Sequence, residues 1–185
     1  MKIVSALRLV AALASVSMAA GCASSYSWRP NVPEKFRTVS VPEFRNESQL
    51  NELGATMTRQ MLREFQREGT FKIKRAGDAA LEIQGTVKQV SSSSGGYNRR
   101  IGMRYNAYEM KVMAEVSVID KINGLVLVDN RMFTAETEFT AGQDLSTSER
   151  DAAGRVADHL ARQVVDMVRS LKFEDGESRK EQKHE

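Results

Sequence analysis

The chain is 185 residues long, with 27 lysine and arginine residues against 24 acidic residues, a formal net charge of +3, one cysteine and two histidines. This length fits one domain with a substantial core, and a single cysteine excludes an intramolecular disulfide and cysteine-based zinc or iron–sulfur sites. Residues 1–21 contain Lys2 and Arg8 and no acidic residue, so their removal would leave a net charge of +1. That balance argues against nucleic-acid binding, which depends on clustered positive charge.

The first 21 residues have the pattern of a signal peptide. A basic start is followed by the apolar stretch 9–20, which is too short to cross a hydrocarbon core of ~30 Å as a helix. The segment Met18-Ala19-Ala20-Gly21-Cys22 resembles a bacterial lipobox, although Ala19 stands where leucine is usual. This resemblance implies a diacylglycerol on Cys22, cleavage before it and acylation (palmitate or a similar chain) of the new amino terminus. An ordinary signal peptide followed by a chance cysteine is the alternative.

The mature chain divides into three parts by composition. Residues 22–35 are polar, contain Pro30 and Pro33 and have no periodicity, which predicts a lipidated amino terminus and a short tether. Residues 36–173 have regular apolar patterning and are predicted to form one domain. Residues 174–185 are charged and lack apolar side chains, which predicts a disordered tail.

Seven segments of the domain have the periodicity of a strand or a helix. Leu81, Ile83 and Val87 share one phase of a strand, and Gly85 lies on the same phase, which predicts close approach of a helix to the sheet there. Asn123-Gly124 is typical of a hairpin turn. In chain order, the predicted elements are strand 37–41, a helix ending near residue 69, strand 70–74, strand 80–90, strand 103–120, strand 125–139 and helix 146–171.

The ends of the helices are predicted from capping residues. Asn46 and Ser48 are candidate N-caps of the first helix, and Ser146 with Glu149 has the spacing of a capping box that opens the second. The serine- and glycine-rich segment 91–96 is predicted to be a flexible loop, and Leu125 is expected on the inward phase of its strand.

The element order is therefore β-α-β-β-β-β-α, with a parallel β-α-β unit followed by antiparallel strands. Each helix has one apolar stripe that must be buried, and packing both helices against one face of a sheet would bury both stripes. We predict an α+β fold in which two helices pack on one face of a four- to five-stranded mixed sheet.

No residue pattern indicates an enzyme, a cofactor or a bound metal. His159 is predicted to lie on a helix surface, and Glu136 and Glu138 are read as solvated residues of one strand face. Two basic groups stand out: Arg59, Arg63 and Arg67 form an i,i+4 stripe on the first helix, and Arg99, Arg100 and Arg104 cluster beside a predicted loop. Guanidinium groups suit phosphate contacts, whereas a solvated charged surface is the alternative for both groups.

Three segments resemble the LPS-assembly lipoprotein family LptE. The segment 39–48, Val-Ser-Val-Pro-Glu-Phe-Arg-Asn-Glu-Ser, resembles its valine-proline-x-phenylalanine-x-asparagine opening, and 77–85 resembles its alanine-aspartate-alanine strand with Gly77 in place of the first alanine. The hairpin 120–127 is similar to a strand-turn-strand of the family. The resemblance covers most of residues 22–171.

This resemblance implies a non-enzymatic lipoprotein of the outer membrane. Such a protein assists assembly of a β-barrel partner similar to LptD, occupies its lumen and contacts lipopolysaccharide, for which Arg99, Arg100 and Arg104 are the candidate phosphate ligands. A lipoprotein activator of a peptidoglycan synthase, or a similar protein-binding module, is the alternative, since such proteins have a similar opening. The short predicted tether favours a partner in the same membrane.

Overall fold

The computed structural model describes residues 32–94, 107–140 and 144–173. A single 3-10 turn, Glu34–Phe36, precedes the first strand. The described elements, in chain order, are β1 (Thr38–Ser40), β2 (Arg45–Asn46), α1 (Leu53–Glu68), β3 (Lys72–Ile73), β4 (Leu81–Ser94), β5 (Ala107–Asp120), β6 (Leu125–Thr140) and α2 (Leu145–Ser170). Within these residues, no helix combines the length and the apolar character needed to cross a bilayer.

The six strands form one mixed sheet with the order β3-β1-β4-β5-β6, and β2 pairs with β4 beside β1. β1 and β3 are parallel, as the predicted β-α-β unit requires, and β1 and β2 run parallel to β4. β4, β5 and β6 form an antiparallel meander. The predicted α+β class is therefore confirmed, with one short strand, β2, more than the predicted order contains.

The helices cover one face of the sheet, and the core lies between the two layers. α2 contacts α1 as well as β5 and β6. The buried apolar side chains of α1 recur at spacings of three and four, at Leu53, Met57, Met61 and Phe65, and Glu64 is buried beside them. The buried stripe of α2 is wider because α2 packs against both α1 and the sheet. The buried apolar residues of α2 are Ala152, Ala153, Val156, Ala157, Leu160, Ala161, Val164, Val165, Met167 and Val168.

The packed domain begins earlier than residue 36. Val32 is only 1% exposed, Phe36 is completely buried, and the Phe36 ring stacks on Phe173 with 4.9 Å between ring centroids. The core therefore includes residue 32, which the sequence analysis had assigned to the tether.

Four sequence predictions differ from the structure. The N-cap of α1 is Glu52, without a side-chain capping hydrogen bond, and not Asn46 or Ser48. Residues 91–94 continue β4 rather than starting a loop, because their backbone pairs with β5 up to Ser94↔Tyr108. Leu125 is 40% exposed rather than buried, although it pairs with the buried Asp120 and so lies on the same face, because it is the first residue of β6, next to the turn. The N-cap of α2 is Asp144, whose carboxylate accepts a hydrogen bond from the Ser146 backbone, and not Ser146 itself.

Candidate functional site

The long strands give the domain two distinct ends. At one end, β4 leaves at Ser94 and β5 returns at Ala107, so the segment 95–106 joins them there; we call this the loop end. At the other end, the turn 121–124 joins β5 to β6; we call this the hairpin end. Since β4 has 14 residues, the two ends are about 40 Å apart at ~3.3 Å per residue.

Two sets of candidate residues lie outside the described residues. Cys22 belongs to the amino-terminal part of the chain, and Arg99, Arg100 and Arg104 belong to the segment that joins β4 to β5 at the loop end. Beside that segment, the rings of Tyr108 and Phe139 stack with 5.4 Å between centroids. The roles of the four candidate residues therefore stay predictions.

The arginine stripe of α1 lies where the helical spacing placed it. Arg59, Arg63 and Arg67 are exposed, on the side of α1 away from the buried residues. The Arg59 guanidinium donates a hydrogen bond to the hydroxyl of Thr56 at 2.9 Å, and Arg67 forms an ion pair with Glu64 at 2.7 Å. Two of the three guanidinium groups thus have partners on their own helix, which suits a solvated surface.

The phenylalanine of the opening motif 39–48 lies at the junction of three elements. The ring of Phe44 is 3% exposed and lies directly against Gly85 of β4, where an added Cβ would overlap ring atoms. Its backbone N–H donates to the Thr58 hydroxyl at 2.9 Å, and its carbonyl oxygen would be 2.5 Å from a Cβ added at Gly54. The close approach predicted at Gly85 is confirmed, but a phenylalanine ring occupies the space rather than a helix.

The asparagine of the same motif organises the turn before α1. The Asn46 side-chain amide donates to the carbonyl oxygens of Leu50 and Asn51 at 2.8 and 3.1 Å. Its oxygen accepts hydrogen bonds from the backbone N–H and the hydroxyl of Ser48 at 3.0 and 2.7 Å. The motif residues therefore hold β1, α1 and β4 together, and their role is structural.

The face of the sheet opposite the helices is polar and carries paired charges. Lys111 and Glu136 face each other across β5 and β6 at 2.7 Å, and this hydrogen bond lowers the pKa of the Glu136 carboxyl and raises the pKa of Lys111. Lys88 lies 2.7 Å from Glu47, and this hydrogen bond raises the pKa of Lys88. Lys88 also lies 3.7 Å from Glu115, so each of these two lysines compensates acidic neighbours on this face, as in a solvated, ion-paired surface.

The remaining polar candidates are surface residues. His159 is exposed on α2, as predicted, and Glu136 and Glu138 are exposed on β6. Among the described residues, no three histidine, cysteine or acidic side chains are close enough together to hold a metal ion.

Comparison with known proteins gives one family match. The family model described as LptE, lipopolysaccharide-assembly, matches residues 36–168. The matched range contains all six strands, α1 and all but the last two residues of α2. No curated protein matches the chain.

Solved structures with low sequence identity resemble the chain in fold. The protein XCC0632 from Xanthomonas campestris has a TM-score of 0.52 and 10% identity, and the alignment covers 76% of this chain and 86% of that one. The hypothetical protein CT253 from Chlamydia trachomatis has a TM-score of 0.50 and 12% identity, with 72% and 96% covered. A minor lipoprotein from Acinetobacter baumannii has a TM-score of 0.47 and 13% identity, with 73% and 94% covered.

Proposed function

The chain belongs to the LptE family of lipopolysaccharide-assembly proteins, and from this membership we propose that it is a lipid-anchored, non-enzymatic subunit of the lipopolysaccharide translocon in the outer membrane. The observation that carries the proposal is the family match over 36–168, which covers nearly the whole folded domain. In this role Cys22 carries the lipid anchor, and the domain faces the periplasm or lies in the lumen of a β-barrel partner similar to LptD.

The shape and surface of the domain suit a barrel lumen. A helix layer of about 10–12 Å on a single sheet gives a body on the order of 20–25 Å thick, and barrels of about 22 strands are wide enough to hold a plug. Barrel interiors are polar. The ion-paired open face of the sheet, with Lys111–Glu136 and Lys88–Glu47, presents a polar surface of this kind.

Partner identity is tested by gentle detergent extraction of the native chain, followed by identification of the proteins that co-purify. The proposal predicts a large outer-membrane β-barrel in stoichiometric amount. Recovery of a peptidoglycan synthase instead would favour the alternative role as an activator. A Cys22→Ser variant, followed by fatty-acid labelling, tests the anchor: the wild-type chain should incorporate label and the variant should not.

Direct contact with lipopolysaccharide is assigned in this proposal to Arg99, Arg100 and Arg104. Each guanidinium–phosphate hydrogen bond contributes about 1.5–3 kcal/mol, so loss of one contact should weaken binding about tenfold or more. The chain offers a matched control, because the stripe Arg59, Arg63 and Arg67 contains the same number of arginines on an exposed helix face.

The binding experiment compares two triple alanine variants of the purified mature chain, titrated with lipopolysaccharide. The variant of the segment 95–106 should lose affinity at least about tenfold, and the α1-stripe variant should stay close to wild type. Equal losses would indicate non-specific attraction to positive charge, and an unchanged affinity in the first variant would remove the assignment.

A further inference from the structure

Strand β6 forms one edge of the sheet. Among the described residues it pairs with β5 alone and ends the strand order. It has 16 residues, whereas β3, at the other edge, has two. A long edge strand presents a row of backbone N–H and C=O groups that a further strand can pair with. In the described sheet, β6 is therefore the edge that is long enough to accept another strand.

The backbone groups of β6 that point away from β5 are identified by two hydrogen bonds from α2. The carbonyl oxygen of Thr134 accepts one from the Gln163 side chain at 3.2 Å, and that of Glu138 accepts one from the Arg155 guanidinium at 3.3 Å. Along an antiparallel strand the backbone groups of every second residue point to the same side. The N–H and C=O of Glu136, which lies midway between these two residues, therefore also point outward.

An open cleft lies beside this edge, between β6 and α2. Successive side chains of an added strand would point to opposite faces of the sheet, so one set would enter the cleft and the other set would lie on the open face. Backbone hydrogen bonds then supply affinity and the cleft supplies side-chain selectivity, as in peptide recognition by strand addition. The cleft has a volume of about 400 Å³ and is lined by Thr134, Ala135, Glu136, His159, Arg162 and Gln163.

The side chains that β5 and β6 carry on the open face near this edge are mainly acidic. Glu109 of β5 lies directly opposite Glu138 of β6, and like charges at such a pair are destabilising. Lys111 forms an ion pair with the neighbouring Glu136 at 2.7 Å. Within the described residues, Glu138 forms no ion pair with a lysine or an arginine. A basic side chain on an adjacent strand would supply the missing opposite charge.

We propose that the β6 edge, over residues 132–140, binds an extended segment of the β-barrel partner by strand addition, with lysine or arginine side chains of that segment facing Glu136 and Glu138. The wall strands of a closed barrel are paired on both sides, so the segment is a loop that enters the lumen. Gln163 and Arg155 are exposed and cover two outward carbonyls of the free chain. This inference rests on the proposed function and names the surface that recognises the partner.

Hydrogen exchange, resolved to single residues, detects the added strand directly. The samples are the free mature chain and its complex with the β-barrel that co-purifies with it in detergent. The amides of Thr134, Glu136 and Glu138 should exchange at least about tenfold more slowly in the complex, because each gains a hydrogen bond. The amide of Ala135, which points toward β5, should change much less. Protection that is absent, or equal at all residues of 133–139, would overturn strand addition.

A proline at the centre of the edge tests the same contact by affinity. Glu136→Pro removes an outward N–H, and an edge strand tolerates proline where that group faces solvent. Its affinity for the purified barrel should fall at least about tenfold, with an unchanged circular dichroism spectrum of the free chain. Wild-type affinity in this variant would overturn the proposal. If the variant does not fold, the exchange pattern of the wild-type complex decides.

The charge of the partner segment is tested by Glu138→Lys, which should weaken binding severalfold at low salt and less at high salt. Asp151→Lys is the matched control, because it makes the same charge change at an exposed position of α2 and should keep wild-type affinity. Unchanged binding by Glu138→Lys would overturn the basic character of the segment.

The same samples separate this inference from the proposed function. If no β-barrel co-purifies with the native chain, the proposed function fails, and strand addition by a barrel segment fails with it. A barrel complex without alternate-residue protection in β6 would overturn strand addition alone. Alternate-residue protection that appears in the free chain as its concentration rises would assign the edge to a second copy and would also overturn the proposal.

Discussion

The contact between Phe44 and Gly85 provides the sharpest test of the packing described above. Substitution of Gly85 by alanine places a methyl group inside the volume of the Phe44 ring, in contact with its Cε1, Cδ1 and Cζ atoms. The ring has little room to move, because it is buried, its backbone N–H is bonded to Thr58, and its carbonyl oxygen lies close to Gly54. The strain must therefore be relieved by displacing the motif segment or β4.

Overpacking of this kind typically lowers the free energy of unfolding by 1–3 kcal/mol. Because the backbone of Phe44 is fixed, we expect Gly85→Ala to lie at the upper end of this range, at about 3 kcal/mol. For a domain of this size that corresponds to a decrease in Tm on the order of 10 °C. Removal of the ring by Phe44→Ala should cost about 3–5 kcal/mol through the cavity it leaves. In the double variant the two losses should not add, because the new methyl group then occupies part of that cavity.

The assay is urea denaturation of the mature chain, followed by circular dichroism, for wild type, both single variants and the double variant. Gly154→Ala is the matched control: it adds the same methyl group, no other atom lies within 4 Å of it, and it should stabilise α2 by about 0.5–1 kcal/mol. A Gly85→Ala variant within about 0.5 kcal/mol of wild type, or additive losses in the double variant, would refute the reasoning.

Three further predictions concern single polar side chains. Asn46→Ala should lower the free energy of unfolding by about 1–2 kcal/mol through loss of the hydrogen bonds that hold the turn before α1, measured by urea denaturation; an unchanged midpoint would contradict the bonding described. Asp120→Ala should cost about 2 kcal/mol, since the Ile122 and Asn123 donors of the hairpin lose their buried acceptor, and should speed hydrogen exchange at the Ile122 amide; unaltered exchange would argue against it. Hydrogen bonds from Thr147 and Ser146 hold the pKa of Asp144 below its usual value, so its cap stabilises α2 above the unfolded pKa of about 3.9 and less as pH falls through the lower folded pKa. Asp144→Ala should therefore be less stable than wild type at pH 7, with a gap in melting temperature that narrows below about pH 4; a gap that widens on acidification would contradict the cap.

Strands and helices were predictable where one apolar phase runs without interruption. In β5, apolar residues alternate with other residues from Met110 to Val118, and all five on the apolar phase are buried. α1 ends where Gly69 predicts, with a left-handed φ of 80°. These features depend on neighbours in the sequence, so the sequence alone contains the necessary information.

The predictions that were wrong concern residues whose burial or pairing depends on segments distant in the sequence. Leu125 lies on the inward face predicted for it, opposite the buried Asp120, but it is exposed because strand periodicity does not show how far the helix layer covers the sheet. The serines of 91–94 have no apolar signal, yet their backbone pairs with β5. The alanines of α2 are small enough to read as neutral, and their burial follows from packing against α1.

The candidate surfaces were predictable only in part. The arginine stripe of α1 follows from the helical period alone, and the structure places it as expected. The exposed apolar side chains of the β5–β6 hairpin, Ile122, Leu125 and Val126, were not predicted, because Leu125 was expected inward and exposure at a turn depends on what covers it. Two apolar residues directly after Asn123-Gly124 were the available signal.

As a member of the LptE family, the chain is proposed to act in lipopolysaccharide assembly at the outer membrane. The most direct measurement depletes the chain in living cells and follows newly made lipopolysaccharide by pulse labelling, with its exposure at the cell surface determined separately from its synthesis. We predict that synthesis continues while surface exposure of the labelled lipopolysaccharide falls, and that the wild-type chain restores exposure whereas Cys22→Ser does not. Unchanged surface exposure after depletion, with a defect in peptidoglycan synthesis instead, would contradict the account.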